Sequence, residues 1–393
     1  MANMMDYINW RGDLEFSQVP LCEVDNLILS ALCYIDFENI ISPSFNKTIL
    51  FNTAARNYLK QHRGEKAYLG AIVPPQIVAL MARAAKSKRF GKLRVCGYIN
   101  HISDDEQTQF CAMTYLLDDS HIFVAYRGTD DTIIGWKENF NMSFMHPVPA
   151  QLEAVSYLQQ VAEERKEQIY VGGHSKGGNL AVYSLVKSSP AVKERVINAF
   201  NNDGPGFTRE FIDSIDYENT RGKIRTIIPQ SSVVGMLLEH EESYEVIKSS
   251  QNGLLQHDSL SWEVMGGSFI HLDTITEESK FIDRTLKQWL GEMNAEERET
   301  FVTNLFDALT STNAKTLTEL NVDRKKLRQA WNGLDSETRN TVFKCVKLLI
   351  KEKTKNILPK KEKAQEPKQS GKLQESFSDK APLLPKNTPQ TDT

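Results

Sequence analysis

The feature that most constrains the fold of this chain is a glycine-rich turn between an apolar segment and a helix-forming segment. Residues 169–171 are β-branched or aromatic, residues 173–177 read Gly-His-Ser-Lys-Gly, and the small and apolar side chains of residues 180–186 follow. A G-x-S-x-G sequence between a strand and a helix is typical of a sharp, strained turn that exposes its central serine at the end of a sheet. The sequence therefore predicts an exposed Ser175 hydroxyl on such a turn. The alternative is an ordinary glycine-rich turn with a solvated serine.

Composition indicates a soluble globular protein. The 393 residues are 40% hydrophobic and 25% charged, which predicts one large domain with appendages. The net charge of −4 argues against nucleic acid as the main partner, because there is no basic excess to neutralise phosphates. No run of about 18 apolar residues is present, so we expect no transmembrane segment.

The cysteines and the amino terminus favour a cytoplasmic location. The five cysteines are scattered without C-x-x-C spacing, which is typical of reduced thiols and predicts neither a structural zinc site nor another metal site or cofactor. The first fifteen residues are polar and lack the apolar core of a signal peptide.

Strand-like and helix-like segments alternate through most of the chain. This alternation predicts an α/β fold with a mostly parallel central sheet flanked by helices. The predicted strands are 93–99, 109–117, 121–126, 169–171, 196–200 and 224–228, and the predicted helices are 23–35, 76–86, 133–144 and 150–164.

Beyond residue 275 the pattern becomes helical. The predicted helices there are 277–293, 294–311 and 323–355, and from Pro359 the chain is rich in Lys, Glu, Gln, Ser and Pro. We therefore divide the chain into a main α/β domain over 1–290, a helical carboxyl-terminal extension over 291–356 and a disordered tail over 357–393.

A serine hydroxyl needs a neighbouring base before it can act as a nucleophile, and an acid must orient that base. Three histidines follow Ser175. His257 lies in a loop-like segment beyond the last predicted strand and is the favoured base. The alternatives are His240, which resembles a solvated helix end among glutamates, and His271, which resembles a strand or loop histidine.

Asp203 is the candidate acid, because it ends the first predicted strand after the glycine-rich turn. The usual position of the acid, after the next strand, holds Ser231 and Ser232, neither of which carries a charge. Asp258 is a weaker alternative, since adjacent side chains rarely face each other. Asp203 could also be a turn-capping carboxylate.

Negative charge that develops on a carbonyl oxygen needs two fixed N–H donors. The backbone N–H of Lys176, next to the serine, is one candidate. Thr129, in a glycine-containing turn after the strand at 121–126, is the other. The alternative role for Thr129 or Asp130 is that of a helix N-cap.

At this point a resemblance is visible. The chain resembles the class 3, or fungal triacylglycerol-type, lipases and is closer still to an uncharacterised bacterial group with that fold. The similarity covers roughly residues 5–290 and rests on Tyr126-Arg127-Gly128-Thr129, Trp136, Asn139, residues 173–181, residues 6–13, residues 23–27 and Gln256-His257-Asp258. It implies an α/β-hydrolase fold with Ser175 as nucleophile, His257 as base, and Thr129 and Lys176 at the oxyanion hole. The chain departs from the lipase pattern at Ser231-Ser232, where the acid should lie.

Our leading hypothesis is a cytoplasmic serine hydrolase without a cofactor that cleaves an ester or thioester through an acyl-enzyme. Its partner would be a small acyl ester or a lipid-like molecule, and peripheral membrane contact is compatible with it. Acyl transfer to another acceptor would use the same residues. The alternative hypothesis is an inactive hydrolase-like scaffold whose carboxyl-terminal helices bind an unidentified protein.

Overall fold

Eleven strands and thirteen helices organise the part of the chain that the computed structural model describes, residues 1–65, 69, 73–277, 279–281, 284, 293–316, 319 and 324–343. The strands are β1 (Ile49–Leu50), β2 (Arg94–Ser103), β3 (Thr108–Leu116), β4 (His121–Tyr126), β5 (Gln168–His174), β6 (Val196–Asn202), β7 (Ile224–Pro229), β8 (Tyr244–Ile247), β9 (Val264–Met265), β10 (Ser268–Phe269) and β11 (His271–Leu272). The helices are α1 (Met4–Arg11), α2 (Glu23–Leu32), α3 (Phe51–Gln61), α4 (Gln76–Lys86), α5 (Lys88–Gly91), α6 (Ile133–Asn141), α7 (Pro149–Glu164), α8 (Lys176–Lys187), α9 (Pro190–Arg195), α10 (Arg209–Ile212), α11 (Ile215–Thr220), α12 (Ala295–Thr310) and α13 (Arg324–Gly333). Short 3-10 turns lie between some of them.

The central sheet has nine strands in the order β1-β2-β3-β4-β5-β6-β7-β8-β11. Strands β4 to β8 are parallel, and antiparallel strands flank them on both edges. This is the expected α/β fold, with parallel strands at the centre of the sheet and helices beside it. Tyr126 pairs with Gly173 and His174 pairs with Asn202, so the carboxyl ends of β4, β5 and β6 lie at one edge. Loops that follow these strands therefore meet there.

Helices cover both faces of the sheet. Apolar side chains of α2 and α4 form one buried core with the sheet, and those of α7 and α8 form another on the opposite face. The amino-terminal segment is held by a buried ion pair, Arg89–Asp25. The guanidinium of Arg89 also donates to the backbone carbonyls of Leu14, Val19 and Pro20. The buried charge is thereby fully hydrogen-bonded, which such a charge requires.

Some predicted boundaries need correction. The helix predicted over 23–35 ends at Leu32, and that predicted over 133–144 ends at Asn141. The helix predicted over 323–355 is interrupted at residues 334–335, where the Asp335 carboxylate accepts from the N–H groups of Glu337 and Thr338 and starts a new helical segment. Most of the helix predicted over 277–293 and the tail predicted over 357–393 lie outside the described residues.

Residues Met1–Asn340 form one compact unit, and Thr341–Thr393 form a second unit, of which only the helical residues 341–343 are described. Within the described part of the chain, no helix has both the length and the apolar content that a membrane span requires.

Candidate active site

Ser175 lies between the end of β5 and the start of α8 in a backbone conformation that side chains rarely adopt, with φ 60° and ψ −133°. Holding a non-glycine residue there costs about 1–3 kcal/mol, so the surrounding structure must enforce it. Part of that enforcement is close packing, because a Cβ on Gly177 would lie 2.1 Å from the carbonyl oxygen of Tyr126. The N–H of Ser175 donates to the carbonyl of Asn202 (2.9 Å), which fixes the turn against β6. The predicted strand–turn–helix around the serine is therefore present.

The imidazole of His257 contacts the carboxylate of Asp203. The Nδ1 atom lies 2.7 Å from Oδ2, although the two residues are 54 positions apart in the chain. Asp203 directly follows β6, has a left-handed backbone (φ 51°) and is 1% exposed. A carboxylate accepting from Nδ1 leaves Nε2 of the ring as the acceptor of the neutral imidazole. The structure thus brings together two of the residues that the sequence proposes as base and acid.

Two groups that the sequence reasoning did not use hold the other oxygen of Asp203. The hydroxyl of Ser232 and the backbone N–H of Gly235 (3.1 Å) both donate to Oδ1. Ser232 follows β7, at the usual position of the acid, where the sequence analysis notes only that it carries no charge. Its position after the strand next to β6 could have indicated the contact with Asp203, because the carboxyl ends of adjacent parallel strands lie side by side.

His174 and Ser175 are covalent neighbours, and the His174 ring packs against the His257 ring with centres 4.6 Å apart. The His257 imidazole therefore lies against the residue that directly precedes Ser175. Ser175 is half-buried, and among the described residues its hydroxyl has no hydrogen-bond partner. The hydroxyl remains free to rotate toward a base or a substrate.

The loop after β4 lies directly against the turn that carries Ser175. A Cβ on Gly128 would lie 2.5 Å from the carbonyl oxygen of His174 and 3.1 Å from Cβ of Ser175, so only glycine fits there. The adjacent Thr129 is buried, and its hydroxyl donates to Oδ1 of Asn139 (2.9 Å). Neither Thr129 nor Asp130 is the N-cap of α6. The cap is Thr132, whose side chain accepts from the N–H of Gly135.

The side chain of Lys176 points into the protein and is fully buried. Its Nζ lies 2.8 Å from Oε2 of Glu138 and 2.6 Å from the carbonyl oxygen of Gln109. The backbone N–H of Lys176 belongs to the first turn of α8, where N–H groups have no intrahelical acceptor. Of the donor groups of Lys176, only the backbone N–H is available to an anion at the site.

The alternative residues lie elsewhere. His240 is paired with Glu242 (3.0 Å) and its side chain is only 8% exposed, so the interpretation as a solvated helix end is wrong. His271 is half-exposed on β11 between Glu23 and Glu245. The Asp258 carboxylate accepts from the N–H of Leu260, and burial raises its pKa. None of these three side chains has a hydrogen bond to Asp203 or Ser175 among the described residues.

In the described part of the chain, two groups of side chains have a composition that could hold a metal ion, Glu23–Glu245–His271 and His101–Glu106–Glu153. In each, the two ring nitrogens of the histidine face different carboxylates. One imidazole bridging two carboxylates is the geometry of an ion-pair network. The four described cysteines are all free thiols.

Comparison with known proteins gives matches at the levels of family and of solved structure. No curated protein matches the chain. Similar solved structures include a propeptide complex of Rhizomucor miehei lipase (16% identity over 39% of this chain and 57% of that chain, TM-score 0.30), M37 lipase (17%, 53% and 68%, TM-score 0.33) and Lip2 lipase from Yarrowia lipolytica (13%, 57% and 98%, TM-score 0.30). The chain spans somewhat over half the length of the Rhizomucor miehei lipase chain. The sequence profile of one family matches residues 84–307, more than half of the chain, and on that match the protein belongs to the Mbeg1-like family.

Proposed function

We propose that the protein is a serine hydrolase that cleaves a carboxylic ester or thioester through an acyl-enzyme on Ser175. The observation that carries the proposal is the 2.7 Å contact between His257 and Asp203 beside a serine on a strained strand–helix turn. Three residues far apart in sequence converge at one edge of the sheet, and their chemistry is that of a nucleophile, a base and an acid.

In the proposed reaction His257 removes the proton of Ser175 as Oγ attacks the acyl carbon. The resulting imidazolium is stabilised by Asp203, whose negative charge is held by Ser232 and Gly235. His257 then donates the same proton to the leaving group, which departs and leaves the acyl group on Ser175. In the second half of the reaction His257 removes a proton from a water molecule, which attacks the acyl-enzyme and releases the carboxylic acid product. General base catalysis of this kind contributes about 10²–10⁴-fold to the rate.

The proposed oxyanion donors are the backbone N–H groups of Lys176 and Thr129. The first lies at the amino end of α8, where the helix dipole favours negative charge. The second follows Gly128, which packs against the Ser175 side chain. One such donor is worth about 10²–10³-fold in kcat.

The proposed substrate is a small acyl ester or a lipid-like molecule with an apolar acyl group. Leu254 and Leu255, in the turn that leads to His257, are 51% and 66% exposed. Exposed leucines next to a catalytic base favour an apolar group in the bound substrate. We also propose a cytoplasmic location, which the free thiols support.

The test is labelling of purified protein with a fluorophosphonate probe, together with turnover of short p-nitrophenyl esters. We expect labelling and turnover to be lost in Ser175→Ala. They should persist in Ser156→Ala, a matched control on the exposed face of α7. Correctly folded wild-type protein that is neither labelled nor active would favour the non-catalytic scaffold.

A further inference from the structure

His174 donates a hydrogen bond to the residue that is proposed as the base. Its Nε2 atom lies 2.8 Å from the backbone carbonyl oxygen of His257. A carbonyl oxygen can only accept, so Nε2 of His174 carries the hydrogen. The other ring nitrogen, Nδ1, lies 3.3 Å from the Tyr34 hydroxyl, whose one hydrogen also has the backbone carbonyl oxygen of His174 within reach at 3.4 Å. The Nε2 contact therefore selects one tautomer of a neutral imidazole.

The surroundings of His174 keep it neutral. Burial lowers its pKa well below the ordinary value, and the charge of a protonated His257 lowers it further. His174 is 7% exposed, and the titratable groups in contact with its ring are Tyr34 and His257. His174 is therefore a hydrogen-bond donor to the backbone of His257.

The segment that carries His257 is a short 3-10 turn, Gly253–His257, outside the helices and the sheet. Two consecutive carbonyls of this turn accept from buried side chains. The indole Nε1 of Trp262 donates to the carbonyl of Gln256 (2.9 Å), and His174 donates to that of His257. The His174 ring also packs against two other rings. Its centre lies 4.6 Å from that of His257 and 6.2 Å from that of Trp262. These contacts fix the position and the tilt of the His257 imidazole.

On this geometry we infer that His174 is a positioning residue that holds the His257 imidazole in register with the hydroxyl of Ser175. The inference rests on the proposed function. Ser175 is covalently attached to His174, which anchors the backbone of His257, so a shift of this turn moves the proposed nucleophile and the proposed base together. The test pairs His174→Phe, which keeps an aromatic ring but loses the N–H donor, with His174→Gln, which keeps an N–H donor at the end of its side chain.

In ester turnover, we expect His174→Phe to lower kcat by about 10²-fold, the cost of a misplaced catalytic group, with KM changed less than about 2-fold. His174→Gln should recover most of that loss. His271→Phe, a half-exposed histidine on the edge strand β11, is the matched control and should behave as the wild type. A merely structural role would lower the amount of folded protein in both His174 variants, with no split between kcat and KM and no rescue by Gln.

Two NMR measurements complete the test without depending on turnover. In the wild type, ¹⁵N shifts should identify a neutral His174 with its proton on Nε2. The low-field proton that His257 Nδ1 shares with Asp203 should be present in wild type and His174→Gln and broadened in His174→Phe. A His174 protonated on Nδ1, or a His174→Phe variant with wild-type kcat and an unchanged low-field proton, would overturn the inference. A wild type that is inactive but shows both NMR signatures would contradict only the proposed function.

Discussion

Nζ of Lys176 lies 2.8 Å from Oε2 of Glu138, and both side chains are buried. This ion pair joins α8 to α6. Helix α8 begins next to the proposed nucleophile, and α6 follows the loop after β4 that carries the proposed oxyanion donor Thr129. Glu138 also accepts from the N–H groups of Gln109 and Ala150, so both oxygens of the buried carboxylate are hydrogen-bonded. The relative position of the two proposed oxyanion donors therefore depends on a charge pair within the protein.

Removal of one charge from this pair should destabilise the fold strongly. Lys176→Met leaves Glu138 as an unpaired buried charge, which costs about 3–5 kcal/mol in the free energy of unfolding. Lys166→Met, at an exposed lysine, should be nearly neutral. Urea unfolding of both variants and of Lys176→Met/Glu138→Gln measures the coupling, and the double variant should lose less than the sum of the singles. A Lys176→Met variant as stable as the Lys166→Met control would contradict this prediction.

Ser232 should matter for catalysis although it carries no charge. Asp203→Asn removes the acid, which should lower kcat by about 10⁴-fold. Ser232→Ala removes one hydrogen bond to a charged group and should lower kcat by about 10- to 100-fold. The matched control is Ser231→Ala, because that hydroxyl pairs with Thr276 (3.0 Å) rather than with Asp203. The prediction fails if steady-state ester hydrolysis shows equal kcat values for the two alanine variants.

Stability at low pH should depend on Glu242. Burial by itself raises the pKa of this carboxyl, but hydrogen bonds from His240, Thr226 and Tyr217 outweigh burial and lower the pKa to about 2. Since the folded pKa is below the unfolded value of about 4.3, the stabilisation is complete above that value and is lost as the pH falls toward 2. Glu242→Gln should therefore flatten the dependence of the unfolding free energy on pH in this window.

The control for Glu242 is Glu241→Gln, because that carboxylate is exposed and bonds to Arg209 at the surface. Urea unfolding at several pH values between about 2 and 5 provides the measurement. Equal pH slopes for Glu242→Gln and the wild type would show that the buried network does not stabilise the charged carboxylate.

The parts of the fold that local sequence signals predict are those with long periodic segments. Residues 76–86 and 121–126 form α4 and β4 with the predicted bounds. Strands β1 and β8 were missed, and β11 was indicated only as a strand or loop at His271, because segments of two to four residues are too short to show a period. Their pairing is decided by neighbours that are distant in sequence.

The candidate site also has a part that the local sequence predicts and a part that it does not. The backbone turn at Ser175 is encoded locally by glycines, so it could be predicted. The buried amide pair of Asn26 and Asn202, in which Nδ2 of Asn202 also donates to the carbonyl of Gly173, could not. Asn26 is 176 positions from Asn202, and only the packing of α2 beneath β5 brings the two together. The buried position of Lys176 likewise follows from its pairing with Glu138 of α6, a contact that the local sequence does not indicate.

Helix α12 should stabilise the proposed oxyanion loop, the loop after β4 that carries Thr129. The ring of Phe306 packs edge-on against Phe140 of α6, with ring centres 5.7 Å apart. The chain that follows α12 then pairs with the start of α6, where the N–H of Ile133 donates to the carbonyl of Lys315 (3.0 Å) and Thr132 is bridged to Thr316. Thr129 is three residues from this pairing. Contacts of α12 are therefore connected through α6 to a proposed oxyanion donor.

Phe306→Ala should lower both stability and activity. Phe306 is 2% exposed, and truncating a buried phenylalanine costs about 3–5 kcal/mol. Because the lost contact is with α6, we expect kcat in ester hydrolysis to fall by more than KM changes, even under conditions where the variant is folded. Leu152→Ala, at a 55% exposed leucine of α7, is the control for a large-to-small change on a helix. If folded Phe306→Ala protein keeps the wild-type kcat, α12 contributes to stability alone and the oxyanion loop is independent of it.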